Sequence, residues 1–323
     1  PGIGNAFCPS GGGEYLLCFA SELDPADPLR ADLMAAYQRL GPGWGLIEHY
    51  PVIVAAMADV PEREYPLRPL SSEHMDEIGV ALRHGHPSSR ESYLFQKIGF
   101  AKDHYENDET SFNWYAKGTP LVMDYGTYTS DAAAAFAHNL VEIPDMDSLR
   151  RGYLADKFFS PLVDYTRCEA PVTLKLQRGH MRSWAEIDGP PVPPKFFYIG
   201  DENPVGPKVW KTRMLLFVKP DYVVLFDRVF GSVPHRFNLH ATADELQREG
   251  RLIVGRGRFD LDLLCFVQHP AEFEFQQGEF FPGPQRSRLA EASGVARVGE
   301  GNANPHRQRF FRIQNPADGT YRT

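Results

Sequence analysis

Cysteine is scarce in this chain, with four in 323 residues, at Cys8, Cys18, Cys168 and Cys265. None belongs to a CxxC pair and no metal-finger spacing is present, which excludes a thiolate metal module. They read as ordinary core or surface thiols, with a Cys8–Cys18 disulfide left open. Basic charge is also in deficit. Lys and Arg number 34 against 42 Asp and Glu, a formal net charge of −8. That excludes a general nucleic-acid or anionic-membrane surface, while leaving room for a local basic cluster that holds an acidic sugar. No apolar run is long enough to span a bilayer. GxSxG, P-loop and HExxH motifs are all absent, and Gly255-Arg256-Gly257 lacks the third glycine and the following helix of a dinucleotide site. There is no internal repeat and no low-complexity segment.

What is present is apolar content of 42% with 24% charged residues, enough for a packed core and too ordered a composition for a disordered chain. The first 65 residues read as helical. Asp27 before Pro28 is a helix start, with an N-cap acceptor and a proline at the first helical position. Leu29, Leu33, Met34, Tyr37 and Leu40 follow on one face, and Gly41-Pro42-Gly43 stops the helix. A second helix is expected around 15–21. Pro61, Pro66 and Pro69 mark an extended linker over 66–77.

From residue 78 the period changes to two. Strands are expected at 78–82, 93–97, 112–115, 120–123, 140–143, 172–177, 183–187, 212–218, 222–226, 237–240, 251–254, 261–267 and 309–313. Lys117-Gly118 reads as a hairpin turn, and Lys219-Pro220-Asp221 as another. So many short strands indicate a mainly β protein: a large antiparallel β-sandwich over 78–323, preceded by a short helical segment. The chain begins at Pro1 with no signal-peptide pattern, and after the 316–319 turn a returning strand is missing from the pattern. Both ends therefore read as cut from a longer protein.

Candidate chemistry concentrates between residues 104 and 138. His104-Tyr105-Glu106-Asn107-Asp108-Glu109-Thr110-Ser111-Phe112 is followed by Gly118, by Asp124-Tyr125-Gly126 and by Ala137-His138-Asn139. Zinc takes three or four N, O or S ligands, and Glu106, Asp124 and His138 lie on segments that neighbouring strands bring together. The bland alternative has Asp124 capping a turn and His138 hydrogen-bonded within the sheet. His104 has the titration range for proton transfer, or is a solvated loop histidine. Arg178, Arg182 and Trp184 combine charge for a carboxylate with a ring for a sugar, or form the exposed face of one strand.

This series of residues resembles the heparinase II/III-like polysaccharide lyases, whose hallmark is close to His-x-His-x-Asp-x-x-Ser-Phe, a Gly-containing hairpin, Asp-x-Gly and Ala-His-Asn. The strands at 78–83 and 93–99 and the hairpin around Lys219-Pro220-Asp221, closing on Asp227-Arg228, resemble the same domain, so the likeness covers about 75–270. The resemblance implies a sandwich joined to an N-terminal (α/α) toroid, with residues 1–65 as the last toroid helices. It implies β-elimination on a uronic-acid polysaccharide. His104 and Tyr105 become candidate catalytic residues at the cleft, Arg178, Arg182 and Trp184 substrate-binding residues, and Glu106, Asp124 and His138 zinc ligands. Glu106 stands where the family has its second histidine. The family's other acid and base groups lie in the toroid. The implied partner is an acidic polysaccharide, and the implied location periplasmic or secreted; a homo-oligomer is open. A non-catalytic carbohydrate-binding sandwich, and a uronyl C5-epimerase or another carbohydrate-active enzyme such as a hydrolase, are the alternatives.

Overall fold

The structure is a computed structural model that describes residues 13–40, 64–76, 78–99, 108–123, 135, 138–143, 146–148, 152–174, 209–231, 233–280, 308–314 and 320–322. The chain opens with helices α1 (Gly13–Ser21) and α2 (Pro28–Leu40). Asp27 caps α2 as its sequence dictates, its Oδ1 accepting from Leu29 N at 2.8 Å. Leu17, Ala20, Met34 and Ala35 pack with Tyr65 into a small cluster separate from the main core. Leu29, on the face expected to be buried, lies in the first turn of α2 and is 51% exposed.

Eighteen strands follow among the described residues. The larger sheet runs β1 (Glu73–Met75), β2 (Gly79–His84), β3 (Ser92–Lys97), β4 (Phe112–Ala116), β5 (Thr119–Val122), β12 (Arg236–Ala241), β17 (Gln308–Gln314) and β16 (Glu274–Phe280), with β6 (Val141–Glu142) also paired to β12. The second sheet runs β18 (Thr320–Arg322), β11 (Tyr222–Phe230), β10 (Val209–Val218), β9 (Val163–Leu174) and β7 (Met146–Ser148), with β8 (Tyr153–Phe159) also on β9. A small third sheet holds β13 (Glu245–Glu249), β14 (Leu252–Arg256) and β15 (Leu263–Phe266). All pairings are antiparallel.

The sandwich follows from alternation. Val80 and Leu82, Leu94, Phe237 and Leu239, Phe311 and Ile313 face inward from the larger sheet, and Leu215, Phe217, Leu225 and Val229 meet them from the second. Each fully buried Phe or Leu contributes about 1.5–3 kcal/mol. The β4–β5 hairpin turns as expected, with Lys117 at φ 51° and Gly118 at φ 84°, the two left-handed residues of a type I′ turn. A side chain at Gly118 would also collide with the carbonyl of Ser89.

Two expectations change. The strand thought missing after the 316–319 turn is present as β18. It does not return to β17 but crosses to the second sheet, where Thr320 pairs with Arg228 and Arg322 with Phe226. The stretch 66–77 is not all linker, since Glu73–Met75 forms an edge strand of the larger sheet. Strands β7, β8, β13 and β16 were not anticipated, and β9 begins at Val163 where a strand was expected only from 172; β8 and β13 are mostly exposed along their length, which erases the period-two signal. The strand expected at 183–187 lies outside the described residues.

Candidate functional site

Of the residues singled out by sequence, His138 is described and fully buried. His104, Tyr105, Glu106, Asp124, Arg178, Arg182 and Trp184 lie outside the described residues. What the structure does give is the scaffold on either side of them, and it converges. Met123, the residue before Asp124, donates its N–H to the carbonyl of His240 on β12 at 3.2 Å. The His240 N–H in turn donates to Asn139 Oδ1 at 2.7 Å. Asn139, next to His138, donates its N–H to Ser111 Oγ at 3.0 Å and its Nδ2 to the Phe112 carbonyl at 2.9 Å. One position on β12 therefore gathers the chain next to Asp124, the chain at His138 and the Asp108–Phe112 segment that follows Glu106. Asn139 substitutes for a strand where β5 leaves β12 and β6 has yet to join it.

Beneath this junction lies a seam of buried charge between the two sheets. Asp108, Glu109, Thr110 and Ser111 form a tight turn closed by Ser111 N–H to the Asp108 carbonyl at 2.8 Å. Thr110 has φ 75°, a left-handed conformation rare for a β-branched residue, and its N–H donates to the Lys97 carbonyl at 3.0 Å. Lys97 from β3 contacts Asp108 Oδ1 at 2.5 Å and Glu109 Oε1 at 3.3 Å. From β10, Lys211 Nζ donates to the Glu109 carbonyl at 3.4 Å. Arg213, also from β10, is the largest fully buried side chain among the described residues. It grips Asp227 of β11 through two bonds of 2.7 and 2.8 Å. Its Nη1 crosses to the carbonyls of Thr110 at 2.8 Å and Asn139 at 2.6 Å. Both segments that flank the junction are thus held from the opposite sheet by one guanidinium.

Three cations, Lys97, Lys211 and Arg213, face three carboxylates, Asp108, Glu109 and Asp227, so the formal charges of the seam balance. Burial dominates the titration of Glu109 and Lys211. It pushes Glu109 up to about 7, reinforced by Asp108 and opposed by Lys97. It pulls Lys211 down to about 8, with Arg213 adding to the shift. Burial also acts to lower Lys97, but Asp108 and Glu109 together outweigh it and hold the ammonium above its usual range. Asp108 Oδ2 and Glu109 Oε2 are buried and accept no hydrogen bond from the described residues.

Sequence reasoning quoted Asp108 and Glu109 without giving them a role and passed over Lys97, Lys211, Arg213 and Asp227 as chemistry. A signal existed. Lys211 and Arg213 share the strand phase of Leu215 and Phe217, and Asp227 that of Leu225 and Val229, so the charges lie on the core face of two otherwise apolar strands. Among the described residues, no three His, Cys, Asp or Glu side chains form a metal-binding group.

No family model matches the chain, and no curated protein matches it in sequence. Solved structures do match its fold. Heparan sulfate lyase HepC from Pedobacter heparinus superposes with a TM-score of 0.56 at 10% identity, over 97% of this chain and 41% of that one. A heparinase III gene product matches with a TM-score of 0.54 at 13% identity, over 90% of this chain and 40% of that one. A further heparinase III structure gives 0.52 at 13% identity, over 86% and 40%. The chain has a heparinase-like fold and spans about two fifths of the length of these structures.

Proposed function

We propose that this chain is the sandwich portion of a polysaccharide lyase that cleaves a uronic-acid polymer by β-elimination. The observation that carries the reading is a heparinase-like fold over 97% of the chain, in a protein whose residues 104–139 resemble the lyase motif except at Glu106. In such a reaction the substrate carboxylate is neutralised, which acidifies the C5 proton. A base removes that proton, and an acid protonates the departing O4. His104 and Tyr105 are the proton-handling candidates of this chain. Arg178 and Arg182 are suited to the carboxylate, and Trp184 to the sugar face. The buried seam serves as the rigid floor on which the 108–112 and 138–140 segments rest.

Zinc belongs to the same proposal. Glu106, Asp124 and His138 offer one imidazole and two carboxylates, a donor set that zinc accepts. When bound, the metal would tie three chain segments together and add folding free energy. Metal analysis of the purified protein and of His138→Ala, together with their melting temperatures, tests this apart from activity; wild-type protein without bound metal overturns it.

For the lyase reading, the full-length protein that contains this chain is incubated with alginate, glucuronan and heparan-type chains while the ultraviolet absorbance of the unsaturated uronate is followed. A rise that His104→Ala abolishes supports the reading. Binding with no rise on any polymer favours a carbohydrate-binding role, and solvent deuterium at C5 without cleavage favours an epimerase.

A further inference from the structure

Lys97, Asp108 and Glu109 form a constellation whose chemistry goes beyond holding the seam together. Adjacent residues of an extended chain point to opposite sides, yet Asp108 and Glu109 both reach one ammonium. The tight 108–111 turn, with Thr110 in its left-handed conformation, makes that possible. The same turn clamps Lys97 through its main chain. The Lys97 N–H donates to the Ser111 carbonyl at 2.9 Å, and the Lys97 carbonyl accepts from the Thr110 N–H at 3.0 Å. Asp108 and Glu109 are fully buried, and the Lys97 side chain is 16% exposed.

Lys97 Nζ sits 2.5 Å from Asp108 Oδ1 and 3.3 Å from Glu109 Oε1. Asp108 Cγ is one bond beyond its oxygen. A nitrogen nucleophile, a carboxyl carbon and an acid–base group are thus in mutual contact. Holding reacting atoms about 3–3.5 Å apart gives effective molarities of ~10⁵ M or more. Burial supplies a driving force, because condensing ammonium and carboxylate to an amide removes one buried charge of each sign. It also removes one Asp108 oxygen, and Oδ2 has no donor among the described residues to lose. The seam stays balanced, with Lys211 and Arg213 against Glu109 and Asp227. The other buried lysine pair lacks these features. Lys219 Nζ lies 2.8 Å from Asp164 Oδ1, but Ser160 N–H and Ser72 Oγ bond the two Asp164 oxygens. No second carboxylate contacts that ammonium among the described residues.

We propose that Lys97 and Asp108 condense into an intramolecular isopeptide bond, with Glu109 as the proton carrier. The step needs no external reactant. Glu109 takes one proton from the Lys97 ammonium and passes it to an Asp108 carboxylate oxygen. The freed Nζ lone pair bonds to Cγ. Glu109 then carries a second Nζ proton to the same oxygen, the bond from that oxygen to Cγ breaks, and water leaves. Glu109 ends as it began. A carboxyl that burial raises to about 7 is suited to both directions of this transfer. Against the lowering effect of burial, Asp108 and Glu109 hold the Lys97 ammonium above its usual range. Free amine is therefore scarce, and the bond forms slowly after folding. The product closes the chain between residues 97 and 108 into a covalent ring, and that stretch carries His104, Tyr105 and Glu106. The inference stands independently of any lyase activity.

Peptide mapping by mass spectrometry of the full-length protein that contains this chain tests it. Trypsin does not cut after an acylated Lys97, but it cuts after Arg90, Lys102 and Lys117. Folded wild-type protein kept overnight at neutral pH should yield a branched peptide, residues 91–102 joined to residues 103–117, lighter than the two together by one water. Protein held in urea from lysis onward should give linear peptides only, because the unfolded chain does not hold the groups together. Lys97→Arg should abolish the branched peptide. Glu109→Gln keeps the size of the side chain but cannot carry the proton, and should lower the yield by about tenfold or more. Cleavage after Lys97 in the folded wild type, with both peptides linear, overturns the proposal. So does a water loss confined to one linear peptide, or an undiminished yield in Glu109→Gln. The wild-type map decides the matter without any variant.

Discussion

Arg213→Met removes four hydrogen bonds at once while keeping a long, apolar-compatible side chain in place. Two of the four belong to the ion pair with Asp227, which is itself only 3% exposed. Removing one member of a buried pair leaves the other charge without compensation and costs about 3–5 kcal/mol. The carbonyls of Thr110 and Asn139 also lose their donor, and each buried unsatisfied group adds about 1–3 kcal/mol unless it relaxes. The sum, about 5 kcal/mol or more, is comparable to the whole stability of many domains, about 5–15 kcal/mol. The variant should therefore unfold at much lower urea than wild type, as followed by tryptophan fluorescence. Arg213→Lys, which keeps one charge but loses the fork, should fall between the two. The decisive variant is Arg213→Met with Asp227→Leu. With both charges gone, most of the pair's cost should return, leaving only the two carbonyls. The reasoning is refuted if Arg213→Met costs less than about 1 kcal/mol, or if the double variant is no more stable than the single.

Three other predictions concern the same core. Glu109 has a folded pKa raised to about 7 from an ordinary value of 4.5, so the folded chain binds the extra proton and stability contributed there falls as pH rises between those values. Glu109→Gln should flatten that part of the stability profile measured by urea titration, and an unchanged slope between pH 4.5 and 7 would contradict it. Gly152→Ala would place a methyl 2.5 Å from Glu109 Oε2, whose carboxylate is fully buried and held by Lys97. It should cost about 1–3 kcal/mol by denaturant unfolding. Burial pushes the Cys265 thiol up to about 12, and Cys168 is buried and raised as well. Neither should be alkylated by iodoacetamide at pH 8 in the native protein, as read by peptide mass spectrometry, although both should react in urea.

The parts of the fold that were legible in sequence share one property: their signal is local. The α2 start needs only Asp27 and Pro28, the type I′ turn only Lys117 and Gly118, and the core strands of the sandwich only their own alternation. Strands β8 and β13 were illegible because little of their length is buried, so no alternation was imposed on them. The candidate site divides in the same way. His138 and the 108–112 stretch stood out by residue type, but the charged seam did not, because lysine or arginine in a strand reads as facing water.

The sequence alone determined that this is a mainly β chain with a short helical beginning, and where the inward phase of its central strands lies. Only the tertiary structure decided that Lys211 and Arg213 keep that inward phase. Burying those cations is favourable only where carboxylates and carbonyls meet them. Asp227 lies 14 residues from Arg213, Asn139 lies 74 and Thr110 lies 103. Period-two patterning carries no information about partners at such separations. They come together because two sheets close over one core, and that closure also brings the neighbours of Asp124 and His138 to a single residue of β12.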